Sequence, residues 1–330
     1  MKVMNNHQKF VNSKGVNQLI TLAAITLIII ELVLFAPKYL LSVKTKPSES
    51  QPQEQKTEEQ KIEEVQETAS PFPSPSASPT KIPTPKTTVT PTPVPIINNA
   101  PPGAGYSRQS VSTDAGIFTV SLIASDIAST RVIVDTASQS DCGSNCPALS
   151  LSDYVSRNGG FAGINGTYFC PKDYASCIGK ENTFDLLVMN KDKYYFNSGN
   201  NVYSTNPAVI FGSGYVRFVS SGSEWGRDTG VNGVIMNYPL LVFNNEIRFG
   251  GDDDPKKGSK GSRSFVATKG STVYIGVVHS ATVAESARVM KAFGMENAMN
   301  LDNGGSTALW YGGYKVGPGR AIPNAIVFTR

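Results

Sequence analysis

The sequence predicts an α+β fold, with mixed, largely antiparallel sheets and two or three helices, preceded by one transmembrane helix and a disordered linker. Three observations carry that expectation. Short β-branched and apolar runs bounded by glycine and polar turns recur through the last two-thirds of the chain, while helical periodicity is rare. Val16–Phe35 is one continuous apolar run broken by a single charge, Glu31. Thirteen of the 21 prolines fall between Pro47 and Pro102.

Residues 1–15 are read as a short cytoplasmic tail and residues 16–36 as the membrane anchor. The twenty residues of the apolar run span about 30 Å as a helix, the thickness of a bilayer core. Glu31 sits near one end, where its carboxyl reaches the interface. A cleaved signal peptide would call for a small-residue cleavage pattern, and Ala36 followed by Pro37 does not supply one. Lys2, Lys9 and Lys14 precede the run and Lys38, Lys44 and Lys46 follow it, so charge bias alone orients the span poorly. Residues 37–104 are first Gln/Glu-rich and then Pro/Thr/Ser-rich. Such a segment buries too little apolar surface to offset the entropy of ordering. Its proline-rich part favours extended polyproline II, and roughly 30 residues of it reach on the order of 90 Å.

The folded domain is expected over residues 105–330. Strands are predicted at Ile117–Ala124, Arg131–Asp135, Phe161–Tyr168, Phe184–Met189, Ala208–Phe211, Val216–Val219, Val234–Met236 and Leu240–Phe243. Ser264–Thr268 and Thr272–His279 flank Lys269-Gly270 as a hairpin, and Ala298–Leu301, Ser306–Tyr311 and Ala325–Phe328 close the domain. Ser152 is expected to cap a short helix ending at Arg157. Thr282-Val-Ala-Glu285 is a capping-box pattern opening a helix that stops at Gly294, with Val283, Ala287 and Met290 on its buried stripe.

Composition narrows the chemistry. From Gly103 onward there are 20 Lys/Arg and 18 Asp/Glu, too balanced for a nucleic-acid-binding face. The four cysteines form two close pairs, Cys142/Cys146 and Cys170/Cys177. Beyond a membrane anchor an even count reads as disulfides in an oxidising compartment, which sets the C-terminal domain outside the cytoplasm and the N-terminus inside, as a single-pass protein. The spacing leaves a crossed pairing open, and a zinc site is the lesser alternative. Only two histidines occur, His7 ahead of the apolar run and His279 at a strand end, where a structural role is favoured. Histidine-based hydrolysis would therefore rest on His279 alone. The Asp252-Asp253-Asp254 run lacks calcium-loop spacing and reads as solvated loop. No cofactor is called for, a divalent cation being left open.

Three segments concentrate the remaining polar chemistry. Asn165 sits at a glycine-flanked break in a strand, Gly163-Ile-Asn165-Gly166-Thr167-Tyr168-Phe169, where glycine implies a bulge or a close backbone approach. Lys260-Gly-Ser-Arg263-Ser264 delivers an arginine to the start of a strand. Asn300-Leu301-Asp302-Asn303-Gly304-Gly305-Ser306 is a polar turn whose glycines permit backbone N–H groups to converge on an anion.

Taken with the run from Thr282 to Gly313 and the closing Gly319-Arg320-Ala-Ile-Pro-Asn, these segments resemble, in order and spacing over roughly residues 105–330, the phosphodiester glycosidase domain family. Two departures stand out: Asn303 replaces the first glycine of a usual triple, and Ser264 replaces a threonine. Asparagine tolerates positive φ best among non-glycine residues, so the turn is expected to survive. The resemblance implies a sugar-1-phosphodiester or phosphoglycan substrate cleaved on the sugar side. It implies Arg263, Gly304, Gly305, Ser306 and, more weakly, Arg320 on the phosphate, with Asn165 orienting a sugar hydroxyl or the phosphate. Asp302 would be the catalytic carboxylate; Glu285 is either a second one or merely a helix cap. Two alternatives stand beside this: a non-catalytic surface phosphoglycan-binding or envelope-assembly module, favoured by Asn303, and a phosphodiesterase cutting P–O.

Overall fold

The computed structural model describes residues 99–199 and 204–330. The expected tail, anchor and all but the last few linker residues lie outside them, as does His7. Among the described residues no helix is long and apolar enough to cross a membrane.

The chain runs β1 (Gly105–Thr113), β2 (Gly116–Asp126), β3 (Arg131–Thr136), helix α1 (Leu151–Arg157) and β4 (Ala162–Asn165). The next five strands are β5 (Val188–Met189), β6 (Tyr195–Phe196), β7 (Ala208–Gly212), β8 (Tyr215–Val219) and β9 (Gly233–Met236). Then come β10 (Leu240–Phe243), β11 (Glu246–Ile247), the single turn α2 (Pro255–Gly258), β12 (Gly261–Lys269), β13 (Thr272–Ala281) and helix α3 (Val283–Ala292). β14 (Asn297–Asn300), β15 (Leu309–Tyr311), β16 (Tyr314–Val316) and β17 (Asn324–Thr329) complete it.

These strands form three sheets, ordered β1-β2-β13-β12-β14-β10-β11, β16-β15-β4-β17-β3 and β6-β5-β9-β7-β8. Every pairing among them is antiparallel. The sheet-rich, helix-poor, antiparallel character matches expectation.

The period-2 alternation of a strand sorts side chains between two cores. In β13, Val273, Ile275 and Val277 enter a central core shared by all three sheets, while Tyr274 and Val278 face α3. In β17, Ile326 and Phe328 enter the central core, and Ala325 and Val327 meet α1. Gly163 is a close-approach glycine: a Cβ there would lie 2.7 Å from Val155 Cγ2, so its absence lets α1 settle directly on β4.

Several boundaries differ from expectation for physical reasons. α1 is capped by Ser150, not Ser152, because Ser150 stands three residues before Asp153 and exchanges side-chain bonds with it. The strand expected over Phe161–Tyr168 ends at Asn165; Gly166 N–H still reaches Asn324 O at 3.2 Å, but the two amides after it leave the ladder for side chains. Thr167 N–H donates to Asn324 Oδ1 at 3.0 Å and Tyr168 N–H to Asn237 Oδ1 at 3.0 Å. Of Phe184–Met189 only β5 pairs as a strand, Phe184 making one bridge to Phe169. β1, polar and without a clear alternation in its sequence, was not expected; it is the edge strand paired along β2.

α3 begins as expected: Thr282 Oγ1 accepts from Glu285 N–H at 3.1 Å, and Glu285 Oε2 accepts from Thr282 N–H at 2.7 Å. Its Val283, Ala287 and Met290 are fully buried. Loss of an N-cap hydroxyl costs about 1 kcal/mol. Thr282→Ala should therefore lower the urea midpoint of unfolding while leaving the slope m unchanged, measured by circular dichroism.

Candidate active site

The chain crosses from one sheet to another between β14 and β15, and Asp302, Asn303, Gly304 and Ser306 of that crossing line a cavity of about 410 Å³. The ends of β4 and β14 and the start of β12 meet there. Asp302 N–H donates to Gly166 O at 2.9 Å and Leu301 N–H to Ser264 O at 2.9 Å, so the crossing is tied to both neighbouring strands. The lining includes Tyr168, Asp185, Tyr238, Arg263, Asp302 and Ser306, together with Lys256, Lys257 and Lys260 along one side. Arg263 and Asp302, 39 positions apart in the chain, thus share one cleft.

Asp302 is the most perturbed carboxylate described. Burial pushes its pKa up to about 7, against the Ser306 side chain, the Asn303 N–H and the positive charge of Arg320, with the Asp185 charge adding to the rise. The Asn303 N–H donates to Asp302 Oδ1 at 2.8 Å. Asp185 lines the same cavity. Although part of its surface is exposed, desolvation raises its pKa too, opposed by Lys180 and Lys256. Sequence reading missed Asp185, which stands in a run of apolar residues with no motif around it. Only the fold reveals that it joins the cleft.

Arg263 is buried and held by carbonyls. Its Nε donates to Ala281 O at 2.9 Å and its Nη2 to Lys256 O at 2.9 Å and to Ser259 O. No carboxylate lies within ion-pair distance of it among the described residues. Burial lowers its pKa, yet a guanidinium remains charged at neutral pH. The guanidinium therefore has no ion-pair partner, although the charge of Asp254 in the same cavity acts on it, and among the described residues no hydrogen bond engages Nη1. The side chain does two things: it pins the loop that carries α2, and it presents a cation to the cleft.

The other expected site residues divide. Gly304 and Ser306 line the cavity, but Gly305 and Arg320 do not. The Arg320 guanidinium lies against Gly305, where an added Cβ would sit 2.3 Å from Nη2, and over the Tyr174 ring at 5.3 Å. From there Arg320 acts on Asp302 through its charge.

Asn165 does not touch the cavity and is fully buried. Its Nδ2 donates to Asp302 O at 2.7 Å, while its Oδ1 accepts from Ser264 Oγ at 3.0 Å and Ala308 N–H at 3.1 Å. With those atoms engaged it positions the turn rather than a ligand. Glu285 also stays out of the lining, its oxygens taken by its own cap and by Lys260. Besides Asp302, the carboxylates that line the cavity are Asp185 and Asp254.

Asn303 has φ −125°, extended backbone open to any residue, so the tolerance of positive φ expected of it is not needed; the left-handed position is Gly304 at φ +63°. His279 bonds Ser121 Oγ at 2.9 Å on β13 and is absent from the lining. Disulfides join Cys142 to Cys146 and Cys170 to Cys177, the uncrossed pairing. Asp252 and Asp254 both pair with Lys257.

A carboxyl whose pKa is raised on folding binds its proton more tightly in the folded state. Its cost to stability grows as pH rises from about 4 to about 7, then levels off. Asp302→Asn removes that cost. Relative to the parent, its melting temperature should rise more at pH 8 than at pH 4, read by calorimetry. A constant difference across that range would show that Asp302 ionises at an ordinary pKa.

The comparisons with known proteins concern the family and the fold. The phosphodiester glycosidase family model matches residues 158–329, which contain each of the cavity residues named above. No curated protein matches. Among solved structures, the catalytic domain of zebrafish N-acetylglucosamine-1-phosphodiester alpha-N-acetylglucosaminidase, auto-inhibited by its pro-peptide, is similar at 16% identity. The likeness covers 68% of this chain and 82% of that one with a TM-score of 0.53, and it shows a shared fold. A hypothetical protein from Synechocystis is also similar, at 14% identity and a TM-score of 0.47. That likeness covers 68% of this chain and spans 62% of the Synechocystis protein. With a family match over more than half its length, the chain belongs to the phosphodiester glycosidases.

Proposed function

We propose that the domain hydrolyses a sugar-1-phosphodiester on the sugar side, releasing the free sugar and leaving a phosphomonoester on the second alcohol. The observation that carries this reading is the sharing of one cleft by Asp302, with its pKa near 7, and the guanidinium of Arg263, which forms no ion pair among the described residues. A base works best with a pKa near the operating pH. Asp302 takes a proton from the water whose oxygen bonds to the anomeric carbon. The anomeric C–O bond breaks, and its electron pair leaves with the phosphate. Asp185 faces the positive charge that builds on the sugar as that bond lengthens. Arg263 holds the phosphate oxygens, where negative charge grows as the bond breaks. Phosphate is a good leaving group, so the site does not need a strong acid to protonate it.

The same proposal sets the domain outside the cytoplasm, held to the membrane by residues 16–36 across the Pro/Thr/Ser-rich linker. Its support is the pair of disulfides, which persist in oxidising compartments. The substrate would then be an envelope or extracellular phosphoglycan. Asn303 lines the cavity with extended backbone, its side-chain oxygen taken by the Ser264 N–H.

On a defined sugar-1-phosphodiester, kcat/KM should rise with pH through about 7 and then level off, following the ionisation of Asp302. Asp302→Asn should lower kcat at least about 100-fold, and Asp185→Asn should lower it as well. Full turnover by Asp302→Asn would refute the assignment. Hydrolysis in ¹⁸O-water should place the label in the sugar; label in the phosphate would mean P–O cleavage instead.

A further inference from the structure

We propose that Tyr168 is a hydrogen-bond donor to the phosphate in the cleft, and that Asn303 sets the direction of that bond through Asn300. The proposal rests on the reading that the cleft takes a phosphodiester.

The direction follows from a chain of bonds that begins at an atom with no choice. The backbone N–H of Ser264 can only donate, and it meets the Asn303 side chain at 2.9 Å, so the amide atom there is Oδ1. Asn303 therefore turns its Nδ2 toward Asn300 and donates to Oδ1 at 3.0 Å. The remaining amide atom of Asn300 is Nδ2, and two backbone carbonyls confirm it: Leu301 O lies at 2.9 Å and Tyr238 O at 3.2 Å. That same Nδ2 reaches the Tyr168 hydroxyl at 2.6 Å. An amide nitrogen does not accept hydrogen bonds. The phenol oxygen must be the acceptor, and its own hydrogen must point elsewhere.

Among the described residues the Tyr168 hydroxyl has no other partner, and Tyr168 lines the cleft. Burial and the charge of Asp302 hold the phenol far above neutral pH in its protonated form, so the hydrogen stays available. Tyr238 meets its ring edge-to-face at 5.1 Å and limits its rotation.

Phosphate is favoured over a sugar hydroxyl by what surrounds this donor. Arg263, which has no ion-pair partner among the described residues, is near enough for its charge to act on Tyr168, and Lys256 lines the same cleft. A neutral donor beside these cations suits an anion. A bond to an oxygen that gains charge as C–O breaks is stronger in the transition state than in the bound substrate, so it raises kcat.

Asn303 stands where the family pattern has glycine. A glycine would leave the Ser264 N–H and the Asn300 Oδ1 without these partners, so that the two carbonyls alone would hold the Asn300 amide. Asn303 is accordingly a positioning residue peculiar to this version of the turn, acting on substrate only through Tyr168.

The test is a double-mutant cycle on the described domain within the full chain: parent, Tyr168→Phe, Asn303→Gly and the double variant. Tyr168→Phe should lower kcat on a sugar-1-phosphodiester about 10- to 100-fold, with a smaller change in KM. Asn303→Gly should show part of that loss, and the double variant should be no worse than Tyr168→Phe. Losses that multiply would show that Asn303 acts independently of Tyr168 and would overturn the relay. Should Asn303→Gly fail to fold, Tyr168→Phe decides alone: unchanged kcat overturns the donor assignment.

Titration with inorganic phosphate by calorimetry separates this proposal from the reaction assigned above. Weaker phosphate binding by Tyr168→Phe supports the donor even if no tested diester is hydrolysed. Equal binding by the two proteins, or none by the parent, refutes it.

Discussion

The buried amide of Asn165 is the interaction on which the site depends. One side chain binds the backbone of Asp302 at one end of a chain crossing, the backbone of Ala308 at the other, and the hydroxyl of Ser264 on the neighbouring sheet. A polypeptide passing between two sheets has no ladder to satisfy its peptide groups, and unsatisfied groups in a buried position are costly. Asn165 replaces the missing ladder. Because it supplies two donors and an acceptor at one fixed point, it also fixes where the Asp302 carboxylate stands.

That structural solution has an electrostatic result. A turn held from behind by buried amides keeps its Asp302 carboxyl partly withdrawn from water, and desolvation raises a carboxyl pKa. The contacts that hold Asp302 thus also contribute to that shift. Arg263 shows the complementary economy. Carbonyls, being neutral, anchor its guanidinium without cancelling its charge, so an arginine built into the wall still acts as a cation toward the cavity.

Much of this was legible in the sequence where one local rule governs. The helix from Val283 could be read because Thr282 and Glu285 stand three apart ahead of an apolar stripe, and the β12–β13 hairpin because Lys269-Gly270 divides two apolar runs. Asp302 and Arg263 were legible because each sits in a dense polar motif. What escaped depends on distance in the chain. Nothing adjacent to Asp185 or Tyr168 states that a strand end 60 or more residues later will face them. Asn165 was noticed as a polar residue at a glycine-flanked break, but its side-chain bonds go to backbone and to Ser264. From sequence alone, an amide that binds a ligand and one that binds backbone look identical. The cap of α1 was misplaced by two residues because Ser150 and Ser152 are both competent hydroxyls, and only the geometry to Asp153 chooses between them.

The position of Arg320 has an evolutionary consequence. Its guanidinium rests on Gly305, outside the reacting space, and reaches Asp302 through field alone. Exchange of that side chain would move the acidity at which Asp302 ionises without removing any group that itself lines the cavity. One peripheral charge is thus a place where descendants of such a protein can retune the site to a more acid or more alkaline habitat.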